Sequence, residues 1–268
     1  MKISIITACY NSSKYIEQTI LSVLNQTYLD IEYIVIDGAS SDGTVDIILK
    51  YVDKIAYFIS EPDRNMYDAI NKGINRATGD YIAILNSDDF YISNTIISDV
   101  VKQIIMLGDS YGGVYGDVTD FDEKGKLIKR KYMIQTSYKE LLASKKLSFV
   151  GHGNLFVSHA ACKEIGEYNC IDFKAASDYD YILRLFRKYH FKHVNINVMG
   201  FRIHNGSITS SGEIEHELQM VLKKSGFYNI NLLNRLCLFY WGWIKFLVAN
   251  KNNITLNSTI NVLKNMLK

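Results

Sequence analysis

Two adjacent acids, Asp88 and Asp89, follow the apolar run Tyr81-Ile82-Ala83-Ile84-Leu85, with only Asn86 and Ser87 between. Carboxylates this close raise each other's pKa, and a hard divalent cation removes that cost while sharing its oxygen ligands with a phosphate. The pair therefore has two readings. It is either a site for a cation and a diphosphate, placed where open α/β sheets bind ligands beyond the carboxyl ends of their strands, or a pair of solvated turn caps. Asp37, before Gly38, reads on its own as a turn-forming residue. Asp68, Asn71 and Lys72 share one helical face at i, i+3 and i+4, which serves either a ligand or a solvated Asp-Lys pair.

The elements that must hold these residues follow from periodicity. Ile3 to Thr7 opens as a strand, and a helix from about Ser13 carries Ile16, Ile20, Val23 and Leu24 on one face. Ile34 to Ile36 forms the second strand, and the polar turn 37–44 caps a helix bearing Val45, Ile47, Ile48 and Tyr51. A third strand is predicted near Ala56 to Ile59, a helix over Asn65 to Ala77, and a fourth strand, apolar almost throughout and so buried on both faces, over Tyr81 to Leu85. Ser93 is expected to cap a helix containing Ile96 to Ile105. Val114 to Phe121 and Leu127 to Met133 read as a hairpin around Lys124-Gly125-Lys126, with Lys129, Arg130 and Lys131 solvated. Ser177 to Tyr189 is helical, with Ser177 and Asp180 as a capping-box-like pair and Asp178 in the first turn, where the helix dipole favours an acid. Two further helices are placed around Glu213 to Lys224 and Leu232 to Ala249.

Four blocks in order carry a resemblance. They are Ile5-Ile6-Thr7-Ala8-Cys9-Tyr10-Asn11; Val35-Ile36-Asp37-Gly38-Ala39-Ser40-Ser41-Asp42-Gly43-Thr44; Ser60-Glu61-Pro62-Asp63-Arg64-Asn65-Met66-Tyr67-Asp68-Ala69-Ile70-Asn71-Lys72-Gly73; and Ala77-Thr78-Gly79-Asp80-Tyr81 running through Leu85 to Asn86-Ser87-Asp88-Asp89. With Ala176-Ser177-Asp178-Tyr179-Asp180 and Leu183-Arg184-Leu185, they resemble family-two glycosyltransferases with the A-type (GT-A) fold, over about the first 205 residues.

The resemblance implies an α/β fold, a GT-A-like mixed and mostly parallel sheet sandwiched by helices with a C-terminal helical appendage. The division is residues 1–205, the nucleotide-sugar-binding and catalytic domain, and 206–268, a helical extension. It implies that the loop of Thr7, Ala8 and Tyr10, together with Asp37, holds the nucleoside, with Asp37 accepting hydrogen bonds from a base, which favours uracil. Asp88 would meet the ribose or the donor sugar, and Asp89 would bind Mn²⁺ or Mg²⁺ that joins the two phosphates. Asp68, Asn71 and Lys72 would stand near the donor. Asp178 would be the catalytic base of a single inverting displacement, with Asp180 as the fallback. His152, in Gly151-His152-Gly153-Asn154, would lie on the acceptor side; Gly153 departs from the glutamine that follows this histidine in many relatives. His204, beside Asn205-Gly206-Ser207, would complete the metal or phosphate shell.

Two rivals stand beside the transferase reading. A sugar-phosphate nucleotidyltransferase needs a Gly-rich basic loop after the first strand, and Ala8-Cys9-Tyr10-Asn11-Ser12-Ser13 has neither feature. A nucleotide-sugar-binding protein without turnover is the non-enzyme alternative, against which the retention of Asp89 and Asp178 argues.

Composition narrows the rest. In 268 residues, 48% hydrophobic and 22% charged, 30 basic residues against 28 acidic leave a net charge of +2, too weak a field to suggest nucleic acid. Four cysteines without a CxxC pair read as reduced thiols in a cytosol, and the polar start of the chain does not form a signal peptide. The apolar stretch Leu236 to Ala249 contains Lys245 and falls short of the roughly 20 residues that cross a bilayer, so no spanning helix is expected. Flanked by Lys223, Lys224, Arg235 and Lys251, residues 236–251 can instead lie on the inner face of the cell membrane and bring the enzyme to a lipid-linked saccharide, or pack on the domain or in a homodimer contact. The resemblance points to bacterial polysaccharide assembly, of O-antigen or capsule.

Overall fold

The computed structural model describes residues 1–144, 150–204 and 214–251. The first half winds β1 (Ile3–Cys9), α1 (Ile16–Leu24), β2 (Ile31–Asp37), α2 (Thr44–Leu49), β3 (Tyr57–Ser60), α3 (Met66–Arg76) and β4 (Tyr81–Ile84) into a parallel sheet. Ile3, Ile5 and Ile6 of β1 and Ile34, Val35 and Ile36 of β2 are buried without exception, as strands covered by helices on both faces must be. Asn65 caps α3, its side-chain oxygen accepting from the backbone N–H groups of Tyr67 and Asp68.

The second half supplies β5 (Phe90–Tyr91), α4 (Ile96–Leu107), β6 (Gly113–Phe121), β7 (Leu127–Lys131), α5 (Tyr138–Ser144), β8 (Leu155–Ser158), α6 (His159–Ile165), α7 (Ser177–Lys188), β9 (Phe191–Arg202), α8 (Ile214–Lys224) and α9 (Leu232–Ala249). Among the described residues the strand order is β3-β2-β1-β4-β8-β6-β9-β5, with β7 paired to β6. β8 runs antiparallel to both β4 and β6, so the sheet turns from parallel to mixed immediately beyond the strand that ends at the acid pair.

Three local expectations are corrected. Thr95, not Ser93, is the N-cap of α4; the Ser93 hydroxyl serves the Thr95 N–H from a tight turn. No capping box forms at α7, whose N-cap is Ala176; Asp180 is drawn instead into an ion pair with Arg184 at 2.8 Å. The hairpin basic cluster is not wholly solvated, because Arg130 and Lys131 reach the buried carboxylates of Asp117 at 3.1 Å and Asp120 at 2.6 Å. α9 covers the expected Leu232–Ala249; by length and composition alone its 18 residues could cross a membrane, and little of it is buried. One side is nonetheless tied to the domain: Lys245 meets Glu140 of α5, and the Asn250 amide exchanges hydrogen bonds with the backbone of Tyr132.

α8 is anchored just as firmly. Glu217 is almost fully buried, and its two oxygens accept the backbone N–H groups of Lys174 at 2.9 Å, Ala175 at 2.8 Å and Ala176 at 2.9 Å. The expected boundary at 205/206 and the residues Asn205, Gly206, Ser207 and Glu213 lie outside the described residues.

Candidate active site

The carboxyl ends of β1, β2, β3 and β4 open on one crevice, and the residue types at those ends set its character. β4 delivers Asn86-Ser87-Asp88-Asp89. The Thr19 hydroxyl of α1 approaches the carbonyl oxygens of Ser87 at 2.9 Å and Asp89 at 2.6 Å, and Ser12 and Ser87 share a 2.8 Å hydroxyl contact, so the turn is fixed from beneath. The two acids then take different environments. Asp89 is 1% exposed: one oxygen accepts the Arg202 backbone N–H at 3.0 Å, the other the Asn86 amide at 3.0 Å. Burial, and then the charge of Asp88, push its carboxyl well above the usual range. Asp88 keeps a side chain 28% exposed and lies 2.8 Å from Nε2 of His204, which follows β9. Asp89 is thus the enclosed member of the pair, and Asp88, with His204 beside it, the more accessible one. An oxygen and an imidazole nitrogen facing one another suit Mn²⁺ or Mg²⁺ only if phosphate or water fills the other positions, since no group of three or more His, Cys, Asp or Glu side chains gathers among the described residues.

Arg202 was not singled out by sequence reasoning. It is nearly buried, donates through Nε to the Asp88 carbonyl at 3.0 Å and through a terminal nitrogen to Gln18 at 2.5 Å, and stacks over Tyr15 at 4.6 Å. An arginine ending a strand two residues before His204 is the only local signal.

Asp178 is half-buried at the start of α7. It accepts from the Tyr67 hydroxyl at 3.3 Å and the Tyr179 N–H at 2.8 Å. Burial pushes its carboxyl up, with nearby His152 pulling the other way. His152 is buried, its Nε2 is 3.1 Å from the Asn86 amide oxygen, and burial holds its pKa below the usual imidazole value. The His152–Asn86–Asp89 chain thus couples the expected acceptor side to the acid pair. Gly153 has a physical cause: a Cβ there would come within 2.9 Å of the Met199 sulfur.

Several expected contacts are redistributed. Thr7 and Ala8 lie inside β1, both buried, and the Thr7 hydroxyl is taken by Tyr33 at 3.2 Å; only Tyr10, 66% exposed, faces outward. Asp37 is fully buried and its carboxylate is occupied by the Ser40 N–H and hydroxyl, the Ser60 hydroxyl and the Cys9 thiol. Asn71 is a clamp, with both ends of its amide bonded at 2.8 Å to the Tyr168 backbone. Lys72 turns away from Asp68 to Glu61 at 2.7 Å and Asp63 at 2.6 Å, and Asp68 accepts the Arg64 N–H at 3.1 Å. Asp180 is buried and held by Arg184. Asn11 (φ +48°) and Ala39 (φ +61°) hold left-handed backbone in the two loops flanking this end, strain that clusters at ligand sites.

Comparison with known proteins identifies the family and the fold. Residues 4–166 match the sequence model of glycosyl transferase family 2. An uncharacterized glycosyltransferase of Mycobacterium tuberculosis is 33% identical over 185 residues, 68% of each chain. Among solved structures, residues 1–349 of Staphylococcus aureus TarS in complex with UDP-GlcNAc superpose with a TM-score of 0.70 at 14% identity, covering 97% of this chain and 78% of that one. The mannosyltransferase PcManGT of Pyrobaculum calidifontis in complex with GDP-Man and Mn²⁺ gives 0.62 at 15% identity, covering 99% and 79%. The expected mixed, mostly parallel GT-A fold with a C-terminal helix is the one found.

Proposed function

The chain belongs to glycosyl transferase family 2, and from that premise we propose that it moves a sugar from a UDP-sugar to an acceptor hydroxyl with inversion, in a cation-assisted displacement. The observation that carries the reading is the pairing of Asp88 with His204 at 2.8 Å, together with a second, half-buried carboxylate, Asp178; both acids are near enough to His152 to act on its charge.

Asp88 and His204 would hold Mn²⁺ or Mg²⁺, which when bound supplies Lewis-acid stabilisation of the leaving diphosphate. Arg202, Thr19 and the buried Asp89 keep the Asp88 turn rigid, so no reorganisation is needed when charge develops on the phosphate. Asp178 takes the proton of the acceptor hydroxyl as its oxygen bonds to the anomeric carbon and the bond from that carbon to UDP breaks. The Tyr67 hydroxyl lies between the Ala175 carbonyl at 3.1 Å and the same carboxylate at 3.3 Å, and helps to set its direction. His152, kept neutral by burial, orients Asn86 and Asp89 rather than competing as the base.

A UDP donor is supported by the UDP-GlcNAc complex of TarS, while the GDP-Man complex of PcManGT makes guanosine diphosphate the alternative. The acceptor we propose is a saccharide, lipid-linked in bacterial polysaccharide assembly. In support, Leu233, Tyr240, Trp241, Ile244 and Val248 lie exposed along α9, an apolar face suited to lying in a membrane interface.

The experiment is a donor panel of UDP-glucose, UDP-galactose, their N-acetyl forms and GDP-mannose, read by thermal shift and by donor hydrolysis with Mn²⁺. Stabilisation by one UDP-sugar with metal-dependent hydrolysis is expected. No response to any nucleotide sugar would remove the assignment.

A further inference from the structure

Tyr15 occupies the N-cap position of α1, yet its side chain makes no capping hydrogen bond to that helix. Ser, Thr, Asp and Asn usually stand at such a place, because their side-chain oxygen accepts an otherwise orphaned N–H of the first turn. A tyrosine gives that stabilisation up, and the half-buried ring is committed elsewhere. Its centroid lies 5.3 Å from that of the His204 imidazole, with the two planes 44° apart. The Arg202 guanidinium is 4.6 Å from the same ring. The hydroxyl reaches Glu123, in the turn between β6 and β7, at 3.4 Å. Glu123 in turn pairs with Lys14 at 3.1 Å, and its carbonyl oxygen accepts from Arg202 at 3.4 Å. Tyr15 is thereby gripped both by the hairpin and by the end of β9.

The ring contact bears on what His204 does. Its Nε2 lies 2.8 Å from Oδ2 of Asp88, and a metal-binding constellation has to keep its donors within about 0.5 Å of the productive geometry. The terminal torsion of a histidine is broad, so backbone placement alone leaves the plane of the imidazole loose. An aromatic neighbour at this separation and tilt restricts it.

We propose that Tyr15 is a positioning residue for the cation site, acting through His204 by fixing the imidazole with Nε2 towards Asp88. This rests on the assignment of Asp88 and His204 as cation ligands. The ring does the positioning, and the hydroxyl, with its long contact to Glu123, is secondary.

Mn²⁺ affinity, read at saturating UDP from the loss of the free-ion electron paramagnetic resonance signal, tests this without turnover. Tyr15→Ala should weaken Mn²⁺ binding by about threefold to tenfold, the range of an aromatic pair, whereas Tyr15→Phe should stay within about twofold of wild type. In a His204→Ala background Tyr15→Ala should add less than about twofold, because substitutions that act through one residue are not additive. Tyr15→Leu, which fills much of the same volume without an aromatic face, carries the same expectations and replaces Tyr15→Ala if that variant does not fold. Wild-type Mn²⁺ affinity without the ring, an equal loss in Tyr15→Phe, or a further loss of about threefold or more in the His204→Ala background overturns the positioning role. If His204→Ala alone weakens Mn²⁺ binding, such a result costs only this inference. A wild-type protein that binds no Mn²⁺ with UDP, or a His204→Ala protein that binds it as well as wild type, takes down the cation site and this inference together.

Discussion

Glu217→Ala tests how the catalytic side of the crevice is held. The carboxylate of Glu217 collects three backbone N–H groups from residues 174–176, immediately before the helix that presents Asp178. Hydrogen bonds to a charged acceptor contribute about 1.5–3 kcal/mol each, and an N–H left buried without a partner costs about 1–3 kcal/mol. Ala175 and Ala176 are buried, so their N–H groups lose their partner outright; Lys174 is exposed, and water replaces what it loses. The net loss is therefore set by two N–H groups rather than three, about 2–6 kcal/mol, a large share of the ~5–15 kcal/mol that a domain of this kind has. Glu217→Gln retains one acceptor oxygen and should lose about half as much. Urea unfolding measures the first quantity and steady-state transfer the second. Because the donor side is built on β1, β2 and β4, kcat should fall while KM for the donor holds. A variant as stable as wild type would refute the energetic argument, and a destabilised variant with wild-type kcat below its unfolding transition would refute the link from Glu217 to the base.

Three further outcomes are expected. Asp178→Asn should lower kcat by about 10²- to 10⁴-fold, and in the wild type kcat/KM should rise with pH through a carboxyl pKa above the ordinary ~3.9. The sign for stability is opposite: a raised folded-state pKa gives stability that is fully present below ~3.9 and lost as pH rises through the folded-state value. Asp178→Asn should thus melt no lower than wild type at pH 7, with the difference closing towards pH 4; a variant clearly less stable at pH 7 contradicts the burial argument. His204→Ala and Asp88→Asn should each raise the Mn²⁺ concentration needed for half-maximal activity by about tenfold or more, whereas Asp89→Asn should chiefly lower the melting temperature; an Asp89→Asn protein with wild-type stability and a selective metal defect would reverse the assignment. Replacing Trp241 and Ile244 by Asp should abolish sedimentation with anionic vesicles without changing transfer to a soluble acceptor, and unchanged sedimentation would remove the membrane role of α9.

What the sequence made legible were features carried by local pattern. Apolar runs at strand spacing located β1 to β4 and the acids at their ends, and helical spacing located α3, α4 and α7 within a residue or two. What it hid was long-range. Asp88 and Asp89 are indistinguishable as letters; they part company because the Arg202 N–H, 113 residues away, occupies one of them. Asn71 and Lys72 look like a ligand-facing pair on a helix, and the fold commits one to Tyr168 and the other to Glu61 and Asp63. β9 carried a readable alternation of Val194, Ile196 and Val198 with Asn195 and Asn197, but Arg202 and His204 gain meaning only from the strand's parallel pairing with β6, which no spacing rule anticipates.

The Asp88–His204 contact spans 116 residues. A nascent chain emerging from the ribosome has β1 to β4, and with them the first acids, long before β9 exists to bring Arg202 and His204 alongside. Until translation has passed that point Asp88 has no His204 beside it, so the proposed cation site comes into being only once the strand that closes the sheet has been made.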